Sequence, residues 1–569
     1  MRWMLLASLM SFPLLAKQAA EPSLSPSFDC QSELAGLTAL PAFPQEPQAW
    51  LQAVDQWRLP ARNKLLAAYV FNDAATAPQT RKAARQCINN LSQAFEKHTN
   101  SLRLQARALL PQASGLEAQA LKAWAGSSKA LKSAQYRAVN DKARQLSQRF
   151  RGNIDKYDGS YPVPKGCQGN LPKRWQEAIP LRGGSVLAAL KDVPAQCQQD
   201  MFVAYESRLK ASNGAVLKDL LAVRQQQAKL DGFKDYADRR LARTQLGNGE
   251  AVWRYLDKLS KRNLAASEAE RKAQGDKPLW QLGQDGKKEE PVSYQPKAVL
   301  AGYLAWLGQE LDIQFKPIKP KLNWADGISA YRLERQGKAI GELYLDLFGR
   351  DGKYGHNRHR ELRRGIDGVQ LPASVLVMNL PTDSWHHKHL KSLMHESGHA
   401  LNNLLASQPY EILSGIRLPS DLVEVPSKVL EQLAWDPKVH KAVTGIAHSP
   451  TPDDRQSGIA LDERILKSAM ALAYHQSGQP DMEAINGELY RKYLHRDYIP
   501  GLSPQYAFRH LASYGPAYFT YLYADAKAND ISDAIKAGQL SLRQFAHCML
   551  EPGASIPARD QLACATAVD

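Results

Sequence analysis

Residues 389–405 read HLKSLMHESGHALNNLL, and within them His395-Glu396-Ser397-Gly398-His399 has the form H-E-x-x-H. Leu390, Leu393, Met394, Leu401, Leu404 and Leu405 recur at three- and four-residue spacing, the mark of one apolar helix face. On a helix, residues four apart share a face, so both imidazoles can reach one metal ion. Glu396, one step round, can then reach a water beside that ion. The segment therefore reads as a helix buried along one side and carrying metal-ligand spacing along the other.

Outward from this helix the period changes once. Upstream, Gly341-Glu342-Leu343-Tyr344-Leu345-Asp346-Leu347-Phe348 alternates as a half-buried strand does, and Ala373-Ser374-Val375-Leu376-Val377-Met378 is a short apolar run between Pro372 and Pro381. These two strands are expected to pair in a small sheet. Nearly everything else has helical periodicity: 34–151, including 116–125 and 134–150, then 201–261, and the chain beyond 390. A Gly/Pro/Tyr segment at 155–172 and a polar one at 273–290 read as connections. The expected fold class is mainly α with one small β element. The expected division is 1–20 export signal, 21–200 N-terminal helical region and 201–569 catalytic region. The histidines His386, His387 and His389 read as a solvated entry to the metal helix.

The chain has 569 residues, 44% hydrophobic and 23% charged, which is a globular composition and excludes disordered, collagenous and multispanning membrane classes. Arg2 followed by a mostly apolar run to Ala16 has the form of an export signal, too short to span a bilayer, with cleavage expected after Ala20. Loss of Arg2 and Lys17 takes the net charge from +16 to +14. The bases are interspersed with acids and form no block with interleaved aromatics, so no nucleic-acid partner is expected. After signal removal the expectation is a monomer with no integral membrane segment. Six cysteines without C-x-x-C suit disulfides in an oxidising compartment. Fifteen pairings are open and the sequence does not choose among them; neighbour pairing, Cys30 with Cys87, Cys167 with Cys197 and Cys548 with Cys564, closes the shortest loops and is the expectation.

A catalytic zinc normally takes three protein ligands and leaves a fourth position to water. The metzincin extension is excluded, because it needs Gly and His where Asn402 and Leu405 stand. The nearby acids are Glu411, Asp421, Glu424 and Glu431. Glu424 and Glu431, seven apart, fall on one helical face, so one could bind metal while the other orients a ligand imidazole. Glu411 follows a Gln-Pro-Tyr turn and reads as a surface residue.

Three blocks together resemble the zinc oligopeptidases of the thimet oligopeptidase, oligopeptidase A and dipeptidyl carboxypeptidase family: 344–356 (YLDLFGRDGKYGH), 395–401 (HESGHAL) and 421–431 (DLVEVPSKVLE). A fourth, weaker block is His510-Leu511-Ala512-Ser513-Tyr514 with Tyr518 and Tyr521. The resemblance implies His395, His399 and Glu424 as ligands of one Zn2+ per chain, Glu396 as general base, and Asp421 and Glu431 behind the ligands. It further implies a Tyr521 hydroxyl aimed at the oxyanion, His510 in contact with substrate near the metal, and Tyr514 and Tyr518 on the substrate side. The fold it implies has two helical lobes flanking a deep channel, the metal helix on its floor and the small sheet as one wall. The loop 512–516 departs from the family pattern: it lacks a Gly-Gly pair and is one residue shorter.

The functional expectation is a secreted or periplasmic zinc peptidase acting on short peptides. Two alternatives stand beside it: a catalytically silent peptide-binding protein on the same fold, and a zinc hydrolase of non-peptide amides. The sequence leaves open internal cleavage or removal of C-terminal dipeptides, for which Arg350, Lys353 and Arg509 are candidate carboxylate holders.

Overall fold

The structure is a computed structural model describing residues 28–126, 134–275, 277–281, 292–447 and 457–566. The expected export signal and most of the polar connection at 273–290 lie outside the described residues. The chain is mainly helical with small sheets. The elements that position the site are the helices α1 (Pro47–Ala74) and α2 (Pro78–Leu109) and the strands β1 (Gln314–Ile318), β2 (Ser329–Arg335), β3 (Lys338–Phe348), β4 (Arg358–Arg363) and β5 (Ala373–Leu380). They are followed by α3 (His387–Leu405), α4 (Val425–Leu433), α5 (Gly458–His475) and α6 (Thr520–Lys536).

The two strands read from sequence pair, in parallel, with Tyr344 opposite Val375 and Leu345 opposite Leu376. They sit inside a larger sheet than expected, of order β1-β2-β3-β5-β4. Sequence periodicity misses β4, Arg-His-Arg-Glu-Leu-Arg, because its charges are held by partners distant in sequence: Arg358 and Arg360 both pair with Asp73 on α1. The alternation in β3 and β5 serves two cores. Leu343, Leu345, Leu347, Leu376 and Met378 face the core containing α3, whereas Tyr344, Val375 and Val377 face the core containing α1 and α2. A sheet covered on both faces explains why β5 reads as a continuous apolar run.

The segment at 155–172, expected as a plain connection, contributes a two-stranded ribbon in which Ser160–Pro162 pairs with Ala178–Pro180. Three disulfides, Cys30–Cys87, Cys167–Cys197 and Cys548–Cys564, follow the neighbour pairing and leave no free cysteine.

Glu411 is corrected from surface to core: it is 1% exposed, paired with Arg58 on α1 and with Arg364 at 2.9 Å each. Arg417 also lies 3.7 Å from it. Desolvation opposes the charge on Glu411, but four arginines hold its carboxyl well below the usual range. His387 is likewise buried instead of solvated, its ring 3.9 Å from that of Trp435.

Candidate metal centre

Helix α3 lays Ala400, Leu401 and Leu404 in the core shared with Leu343, Leu345 and Leu376 of the sheet. That burial leaves His395, Glu396 and His399 half-buried on the opposite side. Helix α4 crosses α3 at Gly398, where a Cβ would lie 2.4 Å from Ser427 Cα and 2.6 Å from Pro426 O. Only glycine permits that approach, and the approach delivers Glu424, the residue preceding α4, to the histidines. Glu424 Oε2 lies 3.6 Å from His395 Nε2 and 3.3 Å from His399 Nε2.

One ligand atom from each of His395, His399 and Glu424 falls within 4.8 Å of the other two. Two imidazole nitrogens and a carboxylate oxygen form a donor set suited to zinc with a fourth position open. Ser427 Oγ donates to Glu424 Oε2 at 3.1 Å and fixes that carboxylate. Desolvation raises the Glu424 pKa, but the hydrogen bond from His399 and the two imidazole charges hold it down to about 2. The site keeps its anionic ligand ionised.

Behind the ligands, Glu431 Oε2 lies 2.9 Å from His395 Nδ1, which turns Nε2 toward Glu424. Lys428 Nζ lies 3.0 Å from Glu431 and 3.6 Å from Asp525 on α6. Asp421, expected beside Glu431 in this role, is placed elsewhere: it is fully buried and accepts the Gln245 backbone N–H at 2.5 Å. Its carboxylate anchors a loop and makes no hydrogen bond to a ligand imidazole.

Helix α6 packs on α4 and brings the aromatic block alongside. Tyr521, His510, Tyr514 and Tyr518 form a cluster with centroid separations of 4.9–5.9 Å. Desolvation, a hydrogen bond with Tyr514 and the Glu424 charge all raise the Tyr521 pKa, so its hydroxyl stays protonated. His510 Nδ1 is buried without a hydrogen-bond partner among the described residues, and desolvation lowers its pKa. All four rings remain half-buried, whereas Tyr523, two residues on, is packed against Tyr255. The carboxylate-holder candidates are otherwise engaged. Arg350 and Lys353 pair with Asp346, and Arg509 with Asp155.

Sequence reading missed His359 on β4, whose ring lies 6.4 Å from that of His399 and whose Nε2 is 3.0 Å from Ser374 Oγ. Burial pushes its pKa down to about 3, so it stands as neutral imidazole. Nothing in its local sequence marks it, because its neighbour is supplied by strand pairing. Lys428 and Ser427 lie inside the third block of resemblance, and their spacing from Glu431 and Glu424 was the available signal.

Comparison with known proteins bears on the family and the fold. Mitochondrial intermediate peptidase of Arabidopsis thaliana is 27% identical over 380 residues, 57% of this chain and 53% of the relative. Oligopeptidase A of Escherichia coli (strain K12) is 24% identical over 408 residues, 58% of each. The chain thus spans little more than half the length of the curated relatives it matches. A solved structure described as PZ peptidase A with inhibitor 2 superposes with a TM-score of 0.56 at 14% identity, covering 94% of this chain and 92% of that one, a likeness of fold. The sequence model of Peptidase family M3 matches residues 195–566, more than half of the chain, and the chain belongs to that family.

Proposed function

We propose that the protein is a zinc metallopeptidase that hydrolyses short unfolded peptides at internal bonds. The observation that carries this reading is the convergence within 4.8 Å of His395 and His399, on a helix that also carries Glu396, with Glu424 from the start of α4. His395, His399 and Glu424 would hold zinc there, and the bound ion would supply a Lewis acid to polarise the substrate carbonyl and lower the pKa of water to about 7. Glu396 takes a proton from the attacking water and returns it to the leaving amine. The protonated Tyr521 hydroxyl donates to the carbonyl oxygen as negative charge develops on it. His510, neutral and with Nδ1 unpartnered, offers a polar contact to the peptide, and Tyr514 and Tyr518 flank it. Glu431 holds His395 in the tautomer that keeps Nε2 available to the metal.

Internal cleavage is favoured over dipeptide removal because Arg350, Lys353 and Arg509 all have carboxylate partners within the protein. The three disulfides favour an oxidising compartment, periplasmic or extracellular. No helix among the described residues is long and apolar enough to cross a membrane.

Mass spectrometry of the products from matched free and C-terminally amidated short peptides tests the reading. The expected result is the same internal cuts in both. Loss of cleavage on amidation would move the assignment to a peptidyl-dipeptidase, and no cleavage of either series would remove the peptidase assignment.

A further inference from the structure

The aromatic cluster beside the metal centre does not end at Tyr518. Phe508 lies 4.9 Å from Tyr518 and 5.7 Å from His510, ring to ring, and its side chain also lines a cavity of about 370 Å³. Its apolar walls include Phe202, Trp280, Leu466, Met470 and Tyr490. Leu466, Met470 and Tyr490 are buried, so the floor is firm. Trp280 donates to Gln198 Oε1 at 3.0 Å and lies 5.8 Å from Phe202, which fixes the outer wall. The helix Ala195–Ser207 that carries Gln198 and Phe202 is itself tied down by Cys167–Cys197.

The charged residues of the lining are Glu206 and Glu463 against Arg208 and Lys467, two of each sign, so the cavity presents no net charge to select an ion. Desolvation raises the Glu206 pKa, and the charges of Arg208 and Lys467 oppose that shift. Tyr521 and Tyr518 are 5.5 Å apart, and one more step of 4.9 Å reaches Phe508. An extended peptide rises about 3.3 Å per residue, so these two steps between rings cover at most about three residues.

We propose that this cavity is a substrate subsite that takes a large neutral apolar side chain, Phe, Trp, Leu or Met, two to four residues from the cleaved bond. The proposal rests on the peptidase reading above. Such a pocket discriminates by size: filling apolar walls distinguishes a large side chain from alanine by about tenfold or more. A lining with two charges of each sign, Lys467 already paired with Glu463, gives lysine or glutamate at the same position no net electrostatic gain to match the apolar contact.

The test uses one peptide scaffold in which each position within four residues of the cleaved bond is in turn Ala, Phe, Lys or Glu. The kcat/KM of each is measured with the zinc-loaded wild type, Phe202→Ala and Trp280→Ala. Affinity is measured in parallel by calorimetry with Glu396→Gln. The expected result is a Phe:Ala ratio of about ten or more at one position, falling toward one in both wall variants. A ratio near one at every position, a preference for Lys or Glu, or a Phe preference unmoved by both wall variants would overturn the subsite while leaving the peptidase reading intact. If no peptide is cleaved, the peptidase reading fails. The affinity ratio in Glu396→Gln then decides the subsite alone: a preserved preference for Phe supports it, and none overturns it.

Discussion

Glu431 Oε2 receives both His395 Nδ1 at 2.9 Å and Lys428 Nζ at 3.0 Å, so one carboxylate orients a ligand and is itself held in place. Desolvation raises its pKa, but those two partners hold it at about 2, which keeps it an acceptor throughout the neutral range. Loss of such a partner typically weakens metal affinity about 10–100-fold. Glu431→Ala is therefore expected to bind zinc 10–100-fold more weakly in a competition titration with a chelating dye, while Glu424→Ala loses stoichiometric zinc. Glu396→Gln is expected to keep its zinc and lose about 10²–10⁴-fold in kcat. Tyr521→Phe is expected to lose about 10²–10³-fold in kcat with little change in KM, the range for one oxyanion donor. These residues differ in how far sequence reveals them. His395, Glu396 and His399 are legible because a helix converts local spacing into a shared face. His359 and the true partner of Asp421 are not, because β4 and the loop at Gln245 bring them in from elsewhere in the chain.

Between elements, Gly398 sets the distance between α3 and α4 and hence between the histidines and Glu424. Gly398→Val is expected to force the two helices apart, lowering stability by about 1–3 kcal/mol as overpacking does, and to weaken zinc binding more than an equally destabilising change elsewhere. Thermal unfolding and zinc titration on the same samples separate the two effects. A second element contact joins α1 to the segment at Glu411. Asp55 Oδ2 accepts the Glu411 backbone N–H at 2.7 Å, and desolvation pushes the Asp55 pKa up to about 7. Its folded pKa is above the unfolded value near 4, so the folded state holds the proton longer. The stability from that proton is complete below pH 4 and lost as pH rises through about 7, at up to about 1.4 kcal/mol per pH unit. Wild type is expected to lose stability relative to Asp55→Asn between pH 5 and 8, read by calorimetric midpoints. A constant difference across that range would contradict the assignment. The two central strands were legible because apolar alternation faces two cores. Glu411 and β4 were not, since charged residues read as surface until their buried arginine and aspartate partners are seen.

At the scale of the whole molecule, the disulfides close separations of 57, 30 and 16 residues. In the chain-entropy account a loop of about 15 residues contributes roughly 3 kcal/mol and longer loops more. Reduction is therefore expected to lower the unfolding midpoint, and a thiol reagent is expected to find no reactive cysteine in the native protein. Under the proposed function, the net charge of +16 in the full sequence is expected to favour acidic over basic peptides by long-range attraction. That preference is expected to shrink at high salt, because exposed charges are screened beyond about 8–10 Å near physiological ionic strength. An acidic preference unchanged by salt would place its origin in a local contact instead. The helical class follows from periodicity, whereas the cysteine pairing was one of fifteen that the sequence left open, and the burial of both sheet faces needs α1 and α2, which are remote in sequence from the sheet. The most direct measurement is zinc titration of the metal-stripped protein while hydrolysis of a short peptide is followed. The account predicts that activity rises linearly, breaks at one zinc per chain, and stays lower by about 10²–10⁴-fold at every zinc concentration in Glu396→Gln despite the same binding break. Full hydrolysis by the metal-stripped protein, or by Glu396→Gln, would contradict it.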